Sequence, residues 1–307
     1  MKHDTAGDPM TGLKWTRRTT RRIAEELATL GIQVSKNTVG RLLQQIDYSL
    51  RVNRKQIAST KSPDRQQQFL YLGQLRQQFS RQAQPIISVD TKKKELVGRF
   101  KNSGVKWDRQ PLSVNDHDFR SDAAGIAIPY GIYDLQTNRG AVFVGSSHET
   151  SEFAVECIEK WWRWEGSKSY PQAKRLLILA DSGGSNGPRR RAWKTAIQQK
   201  LCNRHSLSVT VSHYPPGASK WNPIEHRLFS EISKNWAAEP LSSYEKILNF
   251  IRTTTTAGGL RVRAYLVRKS YATGTKVSQQ AIRQLAMTKH DTLPAWNYTL
   301  HPVKNAK

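Results

Sequence analysis

Three carboxylate residues occupy positions where the sequence predicts that a strand ends or a helix begins. Asp90 ends the short apolar run IISVD at 86–90, and Asp181 ends the run RLLILAD at 175–181. In an α/β sheet, ligands and chemistry gather at the carboxyl ends of the strands. If these two strands are neighbours, the two aspartates meet at one edge of the sheet and repel each other unless a cation lies between them. Oxygen ligands without histidine or cysteine suit Mg²⁺ or Mn²⁺, so the pattern indicates a divalent metal site.

The third carboxylate is Glu225, which ends the stretch HYPPGASKWNPIE at 213–225. The proline and glycine residues of this stretch predict a stiff loop. Asn222 is predicted to cap the helix that follows, with Pro223 at its first position. Glu225 then falls in the first helical turn, at a fixed distance from the sheet, which suits the third ligand of a metal site.

Each acid also has a plainer interpretation. An aspartate after a strand is usually a turn residue, and Glu225 would favour the positive N-terminus of its helix in any protein. The surroundings favour a functional role, because the segment ADSGGSNGP lets a bulky substrate approach Asp181 and the segment DTKKKE places three lysines after Asp90. These lysines are predicted to contact a phosphate backbone: Lys92, Lys93 and Lys94.

The composition favours a polyanionic partner. The 307 residues include 49 Lys and Arg against 24 Asp and Glu, a formal net charge of +25. Such an excess favours polyanions through counterion release, with nucleic acid as the first candidate and an anionic membrane surface as the second. No apolar stretch approaches the roughly 20 residues that span a bilayer, and no signal peptide is apparent, so a cytoplasmic, nucleoid-associated protein is expected. Cys157 and Cys202 match no metal-ligand spacing.

Residues 19–50 predict two short helices joined by a turn, in which Gly31 ends the first helix and Ser35 caps the second. Apolar residues recur at helical spacing: Ile23, Leu27 and Leu30, then Val39, Leu42, Leu43 and Ile46. The pattern is typical of a helix-turn-helix, although a helical hairpin with a solvated basic face would look the same. The predicted base contacts are Lys36, Asn37, Thr38 and Arg41. The predicted phosphate contacts are Arg17, Arg18, Arg21 and Arg22.

The remaining patterns divide the chain into four predicted regions. Residues 1–60 contain the helix-turn-helix, 61–84 form a linker helix with solvated Gln and Arg side chains, 85–257 form a sheet-containing domain, and 258–307 are a C-terminal extension. A hairpin followed by alternating helices and buried strands predicts an α/β domain with a mixed sheet. No regular structure is predicted for residues 1–15 or for the tail WNYTLHPVKNAK.

Three segments together resemble one family of proteins. SVDTKKKELVG, LLILADSGGSNGPRRRAWK and VSHYPPGASKWNPIEHRLFS resemble the Rhodopirellula-type DDE transposases of bacterial insertion sequences, the Azo-thirteen group. YPPGASKWNPIE is also similar to the Pro-Pro…Asn-Pro-Ile-Glu signature of mariner-like transposases. The resemblance runs over roughly residues 11 to 307. It implies an RNase H-like fold, with Asp90 on the first strand, Asp181 after the fourth and Glu225 on a later helix as the catalytic triad.

This resemblance implies a metal-dependent reaction on double-stranded DNA. Two Mg²⁺ (or Mn²⁺) ions held by the triad would clamp a scissile phosphate, one activating a water and later a DNA 3′-OH, the other stabilising the leaving oxygen. The partners would be transposon ends and target DNA, with a homo-oligomer expected because two ends must be paired. For His213 and His226, contact with the phosphate or a ligand water and a supporting role remain alternatives.

Two other functions remain open on the residues alone. A non-catalytic DNA-binding protein from a decayed element would keep the helix-turn-helix and the charge without needing the acids. An RNase H-type nuclease or a Holliday-junction resolvase would use similar acids but would cut without joining. The helix-turn-helix together with the Pro-Pro…Asn-Pro-Ile-Glu segment favours the transposase.

Overall fold

The protein, described here by a computed structural model, contains two compact units, Met1–Ile57 and Ala58–Lys307. Arg17, one of the predicted phosphate contacts, lies outside the residues that the structure describes. Those residues are 5–7, 14–16, 18–50, 64–218 and 221–303.

The first unit contains the two predicted helices. They are α1 (Thr20–Thr29) and α2 (Lys36–Gln45). Thr19 and Ser35 cap these helices. The side-chain oxygen of each accepts a hydrogen bond from the backbone N–H of the third residue of its helix, Arg22 or Thr38. The predicted helices and the Ser35 cap are therefore confirmed. Two short antiparallel strands precede them, so the prediction of no regular structure over residues 1–15 is wrong for β1 (Thr5–Gly7) and β2 (Lys14–Thr16).

The apolar face of these helices is only partly buried. Ile23 and Val39 are buried where the helices meet, as their spacing predicts. Leu42 and Ile46 were expected on the same buried face, but 46% and 63% of their surfaces are exposed. Two short helices offer too little surface to cover every apolar residue of the pattern.

The second unit is built around one nine-stranded sheet. Its strands are β3 (Ile86–Thr91), β4 (Glu95–Val97), β5 (Gly125–Asp134), β6 (Arg139–Gly145), β7 (Arg175–Ala180), β8 (Ser208–His213), β9 (Arg261–Val267), β10 (Met287–Lys289) and β11 (Asn297–Leu300). Its α-helices are α3 (Arg65–Arg81), α4 (Ser151–Trp161), α5 (Ser167–Ser169), α6 (Arg191–Ile197), α7 (Ser230–Asn235), α8 (Tyr244–Arg252) and α9 (Gln279–Arg283). Wider π-helical turns at Trp162–Gly166, Gln198–Asn203 and Glu225–Phe229 adjoin α4, α6 and α7.

The centre of the sheet has the topology of an RNase H-like fold. The strand order is β10-β11-β8-β7-β3-β5-β6-β9, with β4 paired to β5 off this path. Strands β3, β5 and β6 form an antiparallel meander, and β7 and β8 then add parallel to β3 on its other side. This mixed α/β sheet is the fold class that the sequence predicts.

Helices cover both faces of this sheet. One face packs against α4 and α6 through residues such as Phe153, Trp193 and Ile197. The other face packs against the Glu225–Phe229 turn and α8, and also against α3. Both cysteines are buried and form no disulfide. Among the described residues, no helix is long and apolar enough to cross a membrane.

The unit built around this sheet extends across both predicted region boundaries, at 84 and at 257. Helix α3 packs against β3 and β7 through Leu72 and Phe79, so it belongs to the sheet unit rather than acting as a solvated linker. Strand β9 pairs with β6 and strand β11 pairs with β8, at opposite edges of the sheet. The C-terminal residues therefore complete the sheet, including part of the tail for which no structure is predicted.

Candidate active site

The sheet register places Asp90 and Asp181 side by side. Strands β3 and β7 are parallel neighbours, and Val89 lies opposite Ala180, so the next residue of each strand is an aspartate. Adjacent strands lie about 4.8 Å apart, and residues at equivalent register point to the same face. That face is the one covered by α3 and by the helical turn that begins at Glu225. The predicted meeting of the two aspartates at one sheet edge is what this register produces.

The carboxyl groups of this cluster influence one another. Burial and the negative charges of Asp181 and Glu225 raise the pKa of Asp90 to about 8, and the Asp90 carboxyl hydrogen-bonds the Glu225 side chain. Burial, with the charges of Glu149 and Glu225, also raises the pKa of Asp181 above its usual range. Within the described part of the chain, neither aspartate forms an ion pair with a basic side chain. The two aspartates are therefore placed close together, in largely buried positions, without a basic partner of their own.

The raised pKa of Asp90 predicts a stability that falls with rising pH. The folded state retains the Asp90 proton up to about pH 8, whereas the unfolded chain loses it near pH 4. The folded state therefore binds more protons between these values, so this residue lowers stability progressively as the pH rises from about 4 to 8. Asp90→Asn should raise the free energy of unfolding at pH 9 by a few kcal/mol, and the gain should vanish near pH 4. Thermal or urea unfolding across this pH range measures it.

A second buried aspartate provides the control. Asp134 lies at the opposite end of the sheet and accepts hydrogen bonds from the hydroxyl of Tyr170 at 2.9 Å and from the backbone of Gln136 at 3.0 Å. Asp134→Asn replaces one of the two carboxylate oxygens that accept from Tyr170 by an NH₂ donor, and it should lower stability. If Asp90→Asn also lowered stability at pH 9, as Asp134→Asn should, this result would contradict the like-charge repulsion inferred at the carboxylate cluster.

Two glycines shape the loop after Asp181. The Asp181 carboxylate accepts a backbone hydrogen bond from Gly183, and a Cβ atom at Gly183 would lie 3.1 Å from Asp181 Oδ2. Gly184 has a φ of +56°, and a Cβ there would lie 3.0 Å from Glu149 Oε1. Side chains at these positions would crowd Asp181 and Glu149, in keeping with the close approach that the glycine-rich segment predicts.

Glu225 is held close to β3 by a serine that sequence reasoning missed. The Ser88 hydroxyl donates to Asn222 Oδ1, and Ser88 Oγ accepts the backbone N–H of Ile224 at 3.2 Å. Ser88 and Asp90 lie two positions apart on one strand and share a face. The helix begins at Pro223, directly after Asn222, as predicted. The capping hydrogen bond, however, comes from Ser88, which accepts the Ile224 N–H while the Asn222 side chain accepts from Ser88. The sequence does indicate that Ser88 shares the face of Asp90, because the two residues are two positions apart in a predicted strand.

His213 supports the backbone of Asp181. It is fully buried at the end of β8, where burial lowers its pKa to about 4, so the ring is neutral at physiological pH. Its Nδ1 lies 2.9 Å from the carbonyl oxygen of Asp181, which only accepts, so Nδ1 donates. Its Nε2 then accepts from the Tyr298 hydroxyl at 3.3 Å, which in turn accepts from Trp193 Nε1 at 3.1 Å. Both ring nitrogens are occupied by protein groups, whereas His226 is exposed beside Glu225.

Helix α3 braces the strand that leads into the proline-rich loop. Gln68 is fully buried, against the prediction of solvated Gln side chains, and its Nε2 donates to the carbonyl oxygen of His213 at 2.8 Å. The same amide exchanges hydrogen bonds with Asn297 of β11 at 2.9 and 2.7 Å. The guanidinium of Arg65 lies 4.8 Å from the Trp221 ring, just before the Glu225 turn. These contacts fix both ends of the loop that carries Pro215 and Pro216.

The three lysines after Asp90 have different surroundings. Lys92 is buried, with its Nζ 3.2 Å from Glu95 Oε1 and 4.5 Å from the ring centre of Trp236. It is therefore not placed to contact a phosphate backbone, because its side chain is used inside the protein. Lys93 has 82% of its side chain exposed, and Lys94 is half exposed with an ion pair of 3.0 Å to Glu149.

Five of the predicted contact residues of the first unit are exposed, whereas Thr38 and Arg18 are partly covered. Lys36, Asn37 and Arg41 are exposed along α2, whereas Thr38 is partly covered and its hydroxyl contacts that of Ser35 at 3.0 Å. On α1, Arg22 is exposed, and Arg21 is exposed with an ion pair of 3.3 Å to Glu25. Arg18 forms an ion pair with Glu26. The exposed cations of α2 thus share the start and outer face of one helix.

The donor chemistry of the carboxylate cluster fits a hard divalent cation, but its present arrangement is not a finished binding site. Among the described residues, no group of three or more His, Cys, Asp or Glu side chains is arranged to hold a metal ion. The carboxyl oxygens of Asp90, Asp181 and Glu225 are nevertheless the ligand type that Mg²⁺ and Mn²⁺ prefer. A bound cation would relieve the mutual repulsion of these carboxylates and offset the burial that raises the pKa of Asp90 and of Asp181. Ligation by all three would require their side chains to move.

Comparison with known proteins gives one extensive match. A family described as "Rhodopirellula transposase DDE domain" matches residues 1–302. No curated protein matches the chain. Among solved structures, "Mos1 transposase paired-end complex with left transposon end" has a TM-score of 0.46 and 16% identity, covering 76% of this chain and 65% of that chain. "Crystal structure of the mariner Mos1 paired end complex with Mg" has a TM-score of 0.44 and 16% identity, with coverages of 76% and 65%.

A more distant structure is also similar. "CryoEM structure of simian T-cell lymphotropic virus intasome in complex with PP2A regulatory subunit B56 gamma" has a TM-score of 0.29 and 10% identity, covering 63% of this chain and 60% of that chain. The match to the Mos1 transposase chains covers about 65% of their length.

Proposed function

The chain belongs to the Rhodopirellula transposase DDE-domain family, and on this premise we propose that it cleaves DNA at the ends of a mobile element and joins those ends to target DNA. Asp90, Asp181 and Glu225 are its catalytic carboxylates and metal ligands. The observation that carries this assignment is the register of β3 against β7, which sets Asp90 beside Asp181 and within reach of Glu225. No other group of described acids combines burial, like charge and a strand-end position in this way.

The protein's part in this reaction is to hold three carboxylates and a DNA strand in a fixed geometry. Two divalent ions, Mg²⁺ or Mn²⁺, would supply polarisation of the scissile phosphate and a lowered pKa for the attacking water or 3′-OH. The register fixes the separation of Asp90 and Asp181, and the Ser88 hydrogen bonds to Asn222 and Ile224 fix the approach of the Glu225 turn. His213 holds the Asp181 carbonyl oxygen, which orients the start of the glycine loop. Such positioning is what phosphoryl transfer requires of a protein.

We assign recognition of the element's ends to the helix-turn-helix. Lys36, Asn37 and Arg41 lie at the exposed start and outer face of α2, the position from which base edges are read in the major groove. Thr38 completes the set, although its hydroxyl is shared with Ser35. The phosphate contacts that we propose in addition are Arg21 and Arg22 in the first unit, and Lys93 and Lys94 near the carboxylates of the second unit. Arg18 is not among them, because its side chain is largely covered and is paired with Glu26. Because two ends must be brought together, the protein is proposed to act as a homo-oligomer on DNA.

Cleavage and joining of a labelled element end test this function. In Mg²⁺ or Mn²⁺, the full chain should nick the end and transfer its 3′-OH into a second duplex, and EDTA should stop both steps. A product that is cut but never joined would identify a nuclease or resolvase instead. Binding without cutting in either metal would identify a non-catalytic DNA-binding protein.

A further inference from the structure

A cleft of about 750 Å³ adjoins the glycine loop that follows Asp181. One wall is the chain from Gly184 to the start of α6, and the opposite wall is the segment 272–277 that follows β9. The floor includes Ser151 at the start of α4, whose hydroxyl donates to the carbonyl oxygen of Ser185 at 2.6 Å. That hydrogen bond ties the floor of the cleft to the loop that begins at Asp181.

The basic groups of this cleft are available, whereas its acidic groups are already paired. Arg189, Arg191 and Lys276 are exposed, and the described part of the chain offers none of them an acidic partner. Glu149 is paired with a lysine at 3.0 Å, and Glu152 is paired with two lysines at 3.3 and 3.4 Å. The acids are thereby largely neutralised, so the cleft presents an excess of positive charge to solvent.

The cleft is continuous with the surroundings of Asp181. A second cavity, of about 530 Å³, shares Gly184, Arg189 and Arg190 with the first and is also lined by Gly183 and Pro216. Arg190 donates from Nε to the carbonyl oxygen of Gly184 at 3.2 Å, which braces the glycine loop between the two cavities. A chain of phosphates passing through both cavities would run from Arg191 past the glycine loop to Ser182, the residue that follows Asp181.

We propose that this arginine-lined cleft binds the phosphate backbone of the DNA strand that leads to the scissile phosphate. The proposal rests on the proposed function and names a path for its substrate. Arg189 and Arg191 supply planar guanidinium groups that match phosphate oxygens, and Lys276 supplies a point charge from the opposite wall. Gly183 and Gly184 lack a Cβ, which allows the phosphate backbone of the DNA strand to come close to the glycine loop.

The test compares two variants that lose the same charge. The cleft variant carries Arg189→Ala, Arg191→Ala and Lys276→Ala. The control variant carries Arg139→Ala, Arg261→Ala and Lys168→Ala, three exposed basic residues near the opposite end of the sheet. Binding to an end duplex with flanking DNA is measured between low and physiological salt in Ca²⁺. The cleft variant should lose about 0.9 from the slope of log K against log salt for each phosphate contact removed, a total of roughly 2 to 3, and the control should lose less than about 1.

Equal slopes in the two variants would overturn the cleft as a DNA path. The charge-preserving variant Arg189→Lys with Arg191→Lys should recover most of the slope, and its failure to do so with a normal melting temperature would also count against the proposal. The proposed function is tested separately by cleavage with the wild-type chain. If the wild type binds with the full slope but never cleaves in Mg²⁺ or Mn²⁺, the cleft stands and the catalytic assignment fails.

Discussion

Asp90→Asn is expected to lower the rate of DNA strand cleavage at least about a thousandfold while DNA binding stays within a few-fold of wild type. The substitution preserves the size of the side chain but removes the anionic oxygen that would ligate a divalent ion. Metal-assisted stabilisation of a transferring phosphate contributes several kcal/mol, and about 4 kcal/mol corresponds to a factor of a thousand in rate. Single-turnover cleavage of a labelled element end in Mg²⁺ measures the rate, and a gel-shift titration in Ca²⁺ measures binding.

A loss of folding is not the expected cause of this fall in rate. The same substitution removes like-charge repulsion with Asp181 and Glu225 and should stabilise the protein above neutral pH. The matched control is Asp134→Asn, which alters a buried aspartate at the other end of the sheet. It should lower stability yet retain cleavage at temperatures where it is folded. Cleavage by Asp90→Asn at a rate close to wild type would remove Asp90 from the triad.

The parts of the site that the sequence predicts are those encoded locally. The apolar runs before Asp90 and Asp181 specify two buried strands. Each run ends at its aspartate, so the same residues that specify the strand also place the acid at its end. The helix-turn-helix is equally local, because its caps and apolar spacing lie within a single stretch. The resemblance to a known family then supplies which strands are neighbours, and the observed register agrees with it.

The supports of the site could not be predicted because they join residues far apart in the chain. Ser88 and Asn222 are separated by 134 positions, and His213 and Tyr298 by 85. No periodicity within a segment encodes such pairs, so Asn222 has the pattern of a helix cap although its side chain turns to Ser88.

Elements buried by distant partners were missed for the same reason. Strand β11 lies between β8 and β10 with all four residues buried, so it lacks the alternation that marks a half-exposed strand. Lys92 has the sequence context of a solvated basic run, but Trp236 and Glu95 enclose it. Gln68 likewise gains its partners only when α3 packs against β8 and β11, more than 140 positions further along the chain.

Gly131→Ala is expected to lower the cleavage rate about a hundredfold without altering any acid. Gly131 lies directly opposite Asp90 in the pairing of β3 with β5. A Cβ atom there would lie 2.5 Å from Phe229 Cε1 and 2.9 Å from Ile224 Cδ1, the residues that seat the Glu225 turn on the sheet. Ile224 and Phe229 are both buried, so their side chains have little room to turn aside. The turn is therefore expected to move outward, and Glu225 with it. A displacement of about 1 Å in a positioned catalytic group costs about two orders of magnitude in rate.

Gly145→Ala separates this effect from a general loss of stability. Gly145 lies in the neighbouring strand β6, but a Cβ atom there would meet Phe153 of α4 at 2.9 Å, on the opposite face of the sheet. Both substitutions overpack the core and should lower the free energy of unfolding by about 1–3 kcal/mol. Only Gly131→Ala should slow cleavage at temperatures where both variants are folded, and a higher Mg²⁺ concentration should partly restore its rate. Equal cleavage by the two variants would mean that the distance between the Glu225 turn and the sheet does not govern catalysis, and Glu225 would lose its place as the third ligand.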